Sequence, residues 1–402
     1  MSFVNKFSSY ILVFLLFLLQ LVYFPIGVSH FEAPKVYTAE IAIFVLLLVC
    51  IFKSSKFFLK DYNKSFIISL GLLLLLSLIH ILFFNTETTL FGNPFRLQGV
   101  FLLWMLILFA VISAKAQLPK LHSVFFLGII AVQFICALFI EGTNGRAVGT
   151  LGEPNALAAA VIAVWPFLLP PVIASDHKGS RQSRGAYHPW RRLLYHFIPR
   201  NDGVINTIAL IMVFIIIIMS GSRSGMIAFV LQLIFFLVVT RLHLSLKKAV
   251  VISLVLLMVS YVLPFYEQKG IYEKRSEVWQ TAVAAGANHA ILGHGFGNTE
   301  FALRDSSKVL KNNLASSYVD SSHNLFLDWW VQGGVVGLVI LFVLLVQTMR
   351  SFIRNKQVMH IVLFLGLLTS LSFNPASIVS LIAFWWIIGK GVYNNKKEVI
   401  NR

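Results

Sequence analysis

Four arginines and one histidine interrupt or flank strongly apolar stretches of the 402-residue sequence. They are Arg96 in FGNPFRLQG, Arg146 in EGTNGRAVGTLGEPN, Arg223 in IIIIMSGSRSGMIAFV, Arg275 in YEKRSEVW and His323 in SSHNLFLDWW. A guanidinium presents a planar, always-charged fork that matches phosphate oxygens two at a time. A histidine near its ordinary pKa can take a proton from a hydroxyl at neutral pH. The chemistry these types could do together is the holding of a polyanion beside a proton transfer.

Arg223 is the sharpest of the five. Gly221 and Gly225 suit a tight turn, and Ser222 or Ser224 is placed to cap the helix that follows. The start of that helix would offer free N–H groups to an anion. A turn arginine can also snorkel to the lipid surface. A hairpin needs only small polar residues, however, and an arginine drawn toward the bilayer centre costs about 2.5–3.5 kcal/mol or more. Arg223 is therefore read as a phosphate ligand. For His323 the spacing leaves two readings open, a proton acceptor or a satisfied interfacial residue near the belt tryptophans Trp329 and Trp330. Ser321 and Ser322 are candidate helix caps before it, and Asp328 lies too far along a straight helix to be assumed its partner. Gly142, Gly145, Gly149 and Gly152 make a pliant loop around Arg146, with Pro154 at the first turn of the next helix. Arg146 could equally pair with Glu153, and Arg96 could be a simple loop charge. His289 and His294 are separated across a glycine turn, and no compact ligand cluster for a metal is expected.

Composition decides what carries these residues. The chain is 58% hydrophobic and 12% charged, about half the charged share of a soluble domain. Apolar runs near bilayer-spanning length recur throughout, without the alternation of a β-barrel. The expectation is an all-α, polytopic membrane protein with about twelve spans. They fall near 8–28, 36–52, 65–84, 99–114, 121–140, 155–174, 204–219, 224–240, 247–264, 323–346, 359–373 and 375–389. The first is read as a retained helix rather than a cleaved leader. Cys50 and Cys136, inside or beside apolar runs, are read as packing residues.

The net charge of +17 does not signal nucleic acid, because the basic residues sit in short loops between apolar runs. With a cytoplasmic N-terminus, 23 of the 33 Lys and Arg fall on cytoplasmic segments, six in one long outer loop and four in the short outer segments. The positive-inside rule thus sets both termini in the cytoplasm and all five candidate residues on the outer side. Residues 175–203 form a basic cytoplasmic loop suited to anionic lipid heads. Residues 265–322 form the long extracytoplasmic loop, with six basic and six acidic residues, a helical stretch presenting Val278, Trp279, Ala282 and Val283, and a flexible turn at Gly293, Gly295 and Gly297. A loop of that length between spans is uncommon without a function.

The motifs GRAVGTLGEPNALA, SGSRSG, RSEVWQTAV with ILGHGFGN, and SSHNLFLDWWVQGGVVGLV occur in that order. Together they resemble the bacterial O-antigen ligase/polymerase family of membrane glycosyltransferases, from about NPFRLQG to the tenth span. The resemblance implies transfer of a glycan from undecaprenyl pyrophosphate to an acceptor hydroxyl at the outer face of the bacterial cytoplasmic membrane. The acceptor would be a glycan, a glycolipid or a protein. No cofactor or metal is implied. Arg223 and Arg275 match the diphosphate-binding arginines, His323 matches the catalytic residue, and Arg96 and Arg146 are carried as lipid-pyrophosphate contacts. A transporter of lipid-linked glycan would instead show charges deep in several spans and an inverted repeat. Only Glu40, and Asp328 near an end, are such carboxylates, and no repeat is visible. The topology is checked by replacing Cys50 and Cys136 and placing a single cysteine at Ser222 or His323. A membrane-impermeant thiol reagent added outside spheroplasts is expected to label both, and labelling only after lysis refutes the outward assignment.

Overall fold

Branched and straight-chain apolar residues bury no polar side chain, and in hydrocarbon only a helix satisfies every peptide group within its own segment. The chain follows that rule. The computed structural model describes residues 3–24, 29–52, 62–84, 86–116, 118, 122–142, 145–168, 202–242, 244–262, 275–312, 314 and 319–393. Most of the basic loop 175–203, and residues 265–274, 313 and 315–318 of the long loop, lie outside these. Among the described residues there is no β-strand, only the bridges Tyr62 to Tyr393 and Glu141 to Ala147.

The helices are α1 (Phe3–Leu16), α2 (Glu32–Phe52), α3 (Lys64–Phe83), α4 (Thr86–Phe91), α5 (Val100–Ser113), α6 (His122–Phe139) and α7 (Pro154–Val164). After them come α8 (Asp202–Ser220), α9 (Arg223–Thr240), α10 (Leu246–Ser260), α11 (Arg275–Asn288), α12 (Thr299–Leu310), α13 (Leu325–Arg354), α14 (Val358–Leu371) and α15 (Ile378–Val392). Among the described residues, four stretches are long and apolar enough to cross a membrane: Glu32–Ile51, Lys64–Phe83, Arg223–Thr240 and Leu325–Arg354. Several shorter apolar helices pack among them. The first expected span is shorter than its apolar run, because the chain leaves α-helical geometry at Phe17 and continues as a 3-10 turn over Leu18–Leu21.

Exposure shows which solvent the surface meets. Leu82 and Phe83 on α3 are 77% and 78% exposed, and Met258 and Val259 on α10 are 69% and 62% exposed. Such continuous apolar faces fit hydrocarbon, not water. The interior is formed by α14 and α15, whose residues are nearly all buried. Helix α14 lies along α9, and α15 lies against α5 and α13. A buried polar cross-link strengthens this centre. Gln232 on α9 accepts from the Trp165 indole at 2.5 Å and donates to the Val362 carbonyl at 3.0 Å.

The longest helix, α13, is broken by design of its sequence. Gly334 has φ +59° and ψ −157°, outside helical geometry and in a region open to glycine. The peptide groups freed there are taken up by the turn Ala290–Gly295, which contains LGHG. Val335 and Val336 donate to the Ala290 and Ile291 carbonyls at 2.8 and 3.2 Å. His294 and Gly295 N–H groups donate to Val331 and Gln332 at 2.8 and 3.0 Å. The buried ring of His80 adds two bonds, to the Leu292 carbonyl and from the Phe296 N–H. The glycine turn expected to be flexible is therefore clasped, because a broken membrane helix needs its partners. The expected helical stretch is α11, which buries Val278, Trp279, Ala282 and Ala285 on one side and leaves Val283 exposed.

Close approach of α15 to α5 depends on one missing side chain. A Cβ at Gly389 would lie 2.1 Å from the Ala110 carbonyl oxygen, which is backbone and cannot turn aside. Gly389→Ala is expected to destabilise by about 1–3 kcal/mol through overpacking. A lowered thermal midpoint of the detergent-solubilised protein, followed by tryptophan fluorescence, checks this.

Candidate active site

The SGSRSG turn is built as its residue types require. Ser222 is the N-cap of α9 and accepts from the Gly225 N–H at 3.2 Å. Its hydroxyl also meets that of Ser224 at 3.0 Å, and Ser224 donates to Asn374 Oδ1 at 2.9 Å. Asn374 lies in the SFNPAS turn between α14 and α15, so the Arg223 turn is tied to the buried centre. Arg223 itself opens α9 with its side chain exposed and with no ion pair among the described residues.

Arg146 comes to the same turn from the glycine loop before α7. Its Nε donates to the Ser220 carbonyl at 2.7 Å, and its guanidinium lies against Gly221, the residue between that carbonyl and Ser222. Asn155 Oδ1 accepts from it at 3.4 Å. Burial lowers the Arg146 pKa; Glu153 pulls it up, and the charge of Arg223 pushes it further down. Two like charges are thus held within electrostatic reach at the start of one helix, an arrangement that an anion would relieve.

Arg96 is placed differently. It is buried, with Nε 2.6 Å from Asp320 Oδ2 and Nη1 3.6 Å from Glu153 Oε2. Burial opposes its charge, but the carboxylates of Glu153, Asp320 and Glu32 together hold its pKa above the ordinary value. Glu153 therefore pairs with Arg96, not with Arg146. Lys35, fully buried, adds a second anchor by donating to the Phe31 and Thr150 carbonyls at 2.8 and 3.1 Å. Glu32 Oε1 accepts from the Ile378 N–H at 2.5 Å and so covers the start of α15.

His323 stands just before α13, not on it. The N-cap is Asn324, whose Oδ1 accepts from the N–H groups of Phe326 and Leu327. His323 has φ +56°, a left-handed conformation uncommon for a residue with a Cβ and a mark of functional sites when surroundings impose it. The surroundings here are Asp328, which accepts from the Ser321 hydroxyl and the Ser322 N–H, both at 2.7 Å. Ser321 and Ser322 are bound by that carboxylate instead of capping the helix. The turn folds back on itself, so five positions of sequence separation do not keep Asp328 from the segment that carries His323, which it reaches through Ser321 and Ser322.

Tyr261, just past α10, joins the two halves of the site. Its hydroxyl is buried beside the side chains of Ser372 and Asn324, without a hydrogen bond of good geometry among the described residues. Its ring packs at 4.8 Å from Phe373 and 5.5 Å from Trp279. Trp279 is one turn into α11, which brings Arg275, the first residue of that helix, to the same end of the bundle. Sequence reasoning did not single out Tyr261, Asp320, Glu32 or Lys35. The separate pairing of His289 and His294, with ring centres 4.2 Å apart, stays at the LGHG clasp. Burial lowers the His294 pKa, and its Nε2 lies 2.8 Å from the Ala285 carbonyl.

Residues 208–342 match the O-antigen ligase family. That O-antigen ligase-like segment contains Arg223, Arg275 and His323, while Arg96 and Arg146 precede it. The chain is also similar to a ComP-specific O-oligosaccharyltransferase of Acinetobacter baylyi, with 23% identity over 343 residues, 80% of this chain and 54% of the relative. It thus spans about half the length of that protein.

Arg96 holds two carboxylates that would otherwise be stranded. Arg96→Met is expected to destabilise by about 3–5 kcal/mol, the usual cost of breaking a buried pair. Adding Asp320→Asn should recover part of the loss. Thermal unfolding of the single and double variants in detergent measures both effects.

Proposed function

We propose that this protein transfers a glycan from an undecaprenyl-pyrophosphate donor to an acceptor hydroxyl at the outer face of the bacterial cytoplasmic membrane. The observation that carries this reading is the convergence of Arg146 on the Ser220–Arg223 turn. It leaves two guanidinium groups near a capped helix start, at a bundle end linked through Asn374 and Tyr261 to the His323 turn. The match to the O-antigen ligase family supports it.

In this reading the donor's isoprenoid tail lies in hydrocarbon against the apolar faces of the bundle. Its pyrophosphate meets Arg223, Arg146 and Arg275. His323 takes the proton of the incoming hydroxyl. The hydroxyl oxygen bonds to the anomeric carbon, and the bond from that carbon to the pyrophosphate oxygen breaks. The electron pair leaves with the lipid pyrophosphate, and the arginines are already oriented for that charge. Arg96 supports them from behind by fixing the Glu153 and Asp320 loops. The chemistry supplied by these residues uses no cofactor.

The acceptor is a hydroxyl on a glycan or glycolipid. A protein hydroxyl is the second reading, favoured by the relative in Acinetobacter baylyi that is specific for ComP.

The test uses purified protein, a lipid-pyrophosphate oligosaccharide and candidate acceptors. His323→Ala is expected to lower transfer by about 100- to 10,000-fold, the range of a general base. Arg223→Lys keeps the charge but loses the fork, and should lower it at least about tenfold. Unchanged transfer by His323→Ala would remove that residue from the reaction.

A further inference from the structure

The proposed reaction needs an imidazole aimed at one hydroxyl, yet His323 lies in a turn where no regular helix holds it. We propose that Asp328 is a positioning residue for His323, fixing the turn that presents the imidazole. This rests on the glycan-transfer reading above and extends it.

Four contacts carry the inference. Asp328 Oδ2 accepts from Ser321 Oγ, and Oδ1 from the Ser322 N–H, both at 2.7 Å. The same Ser321 hydroxyl oxygen accepts from the His323 N–H at 3.0 Å. Ser322 Oγ then donates to the Asn324 carbonyl at 3.0 Å. The carboxylate therefore grips both residues before the histidine, and through Ser321 it reaches the histidine's own backbone. A left-handed residue with a Cβ is disfavoured by about 1–2 kcal/mol, so the turn needs an external hold. Asp328 supplies it from the first turn of α13, which the LGHG clasp anchors in turn. On the other side, Asp320 is held by Arg96, so the Asp320–Asn324 segment is fixed at both ends.

A capping acid in the first helical turn would explain the position of Asp328 without any link to the reaction. The two accounts differ in what its loss changes.

The experiment uses the full chain in proteoliposomes, with an undecaprenyl-pyrophosphate oligosaccharide as donor and a glycan acceptor. Wild type, His323→Ala, Asp328→Ala, Asp328→Asn and the His323→Ala/Asp328→Ala double variant are compared for kcat and donor KM. Asp328→Ala should lower kcat at least about tenfold with donor KM within threefold, because the arginines still hold the pyrophosphate. Asp328→Asn can still accept the Ser322 N–H and should lose less. In the His323→Ala background the loss of Asp328 should cost nothing further, since it acts through the histidine. The inference is overturned if Asp328→Ala keeps wild-type kcat, if its loss appears equally in donor KM, or if the double variant falls by the full product of the single effects. Where Asp328→Ala fails to insert, Asp328→Asn decides: kcat at the wild-type level with His323→Ala inactive overturns the inference alone. No transfer by wild type to any acceptor would sink the glycan-transfer reading instead.

Discussion

Hydrocarbon accepts no unpaired peptide group, and this constraint shapes the end of the bundle where the candidate residues meet. Each interruption of a helix there is matched by a local cap or by a partner from elsewhere in the chain. The break at Gly334 is filled by the LGHG turn. The start of α9 is capped by Ser222 and braced by Asn374. The start of α15 is covered by Glu32, and the start of α13 by Asn324. Helix starts gather at one end, and with them gather donors and positive potential. A membrane protein that must handle an anion at the lipid surface has there what the physics of helices already offers.

The charges divide into two groups with different work. Arg96, Asp320, Glu153, Glu32 and Lys35 are mutually engaged and largely buried, and they join four separate segments. Arg223 and Arg146 carry positive charge that the described carboxylates do not cancel to the same degree. The first group builds the platform, and the second leaves potential to spare on it. Such separation is what keeps an ion-binding surface from collapsing onto its own counter-ions.

The apolar helices were legible because burial in lipid is written in composition alone. Ser222 as a cap and Pro154 at the first turn of α7 were also legible, since both depend on neighbours within a few residues. The partners of Arg96 were not, because Asp320 is 224 positions away and no local rule pairs them. Asp328 was discounted on the assumption that His323 continues the helix. The left-handed turn at His323 depends on the serines folding back toward that carboxylate, a tertiary event. The Gly334 break was hidden for a related reason: a glycine pair inside an apolar run reads as helix until its docking partner is known.

That break carries a mechanical consequence. The stretch from Leu325 to Gln332 is bonded to the LGHG turn through the Val331 and Gln332 carbonyls, and α13 packs on α11 and α12 of the outer segment. The Gly334 kink thus makes the outer turns of α13 part of the α11–α12 assembly, while Arg96 ties the Asp320–Asn324 segment ahead of them back to the bundle. The turn at His323 sits where those two bodies of the fold are stitched together.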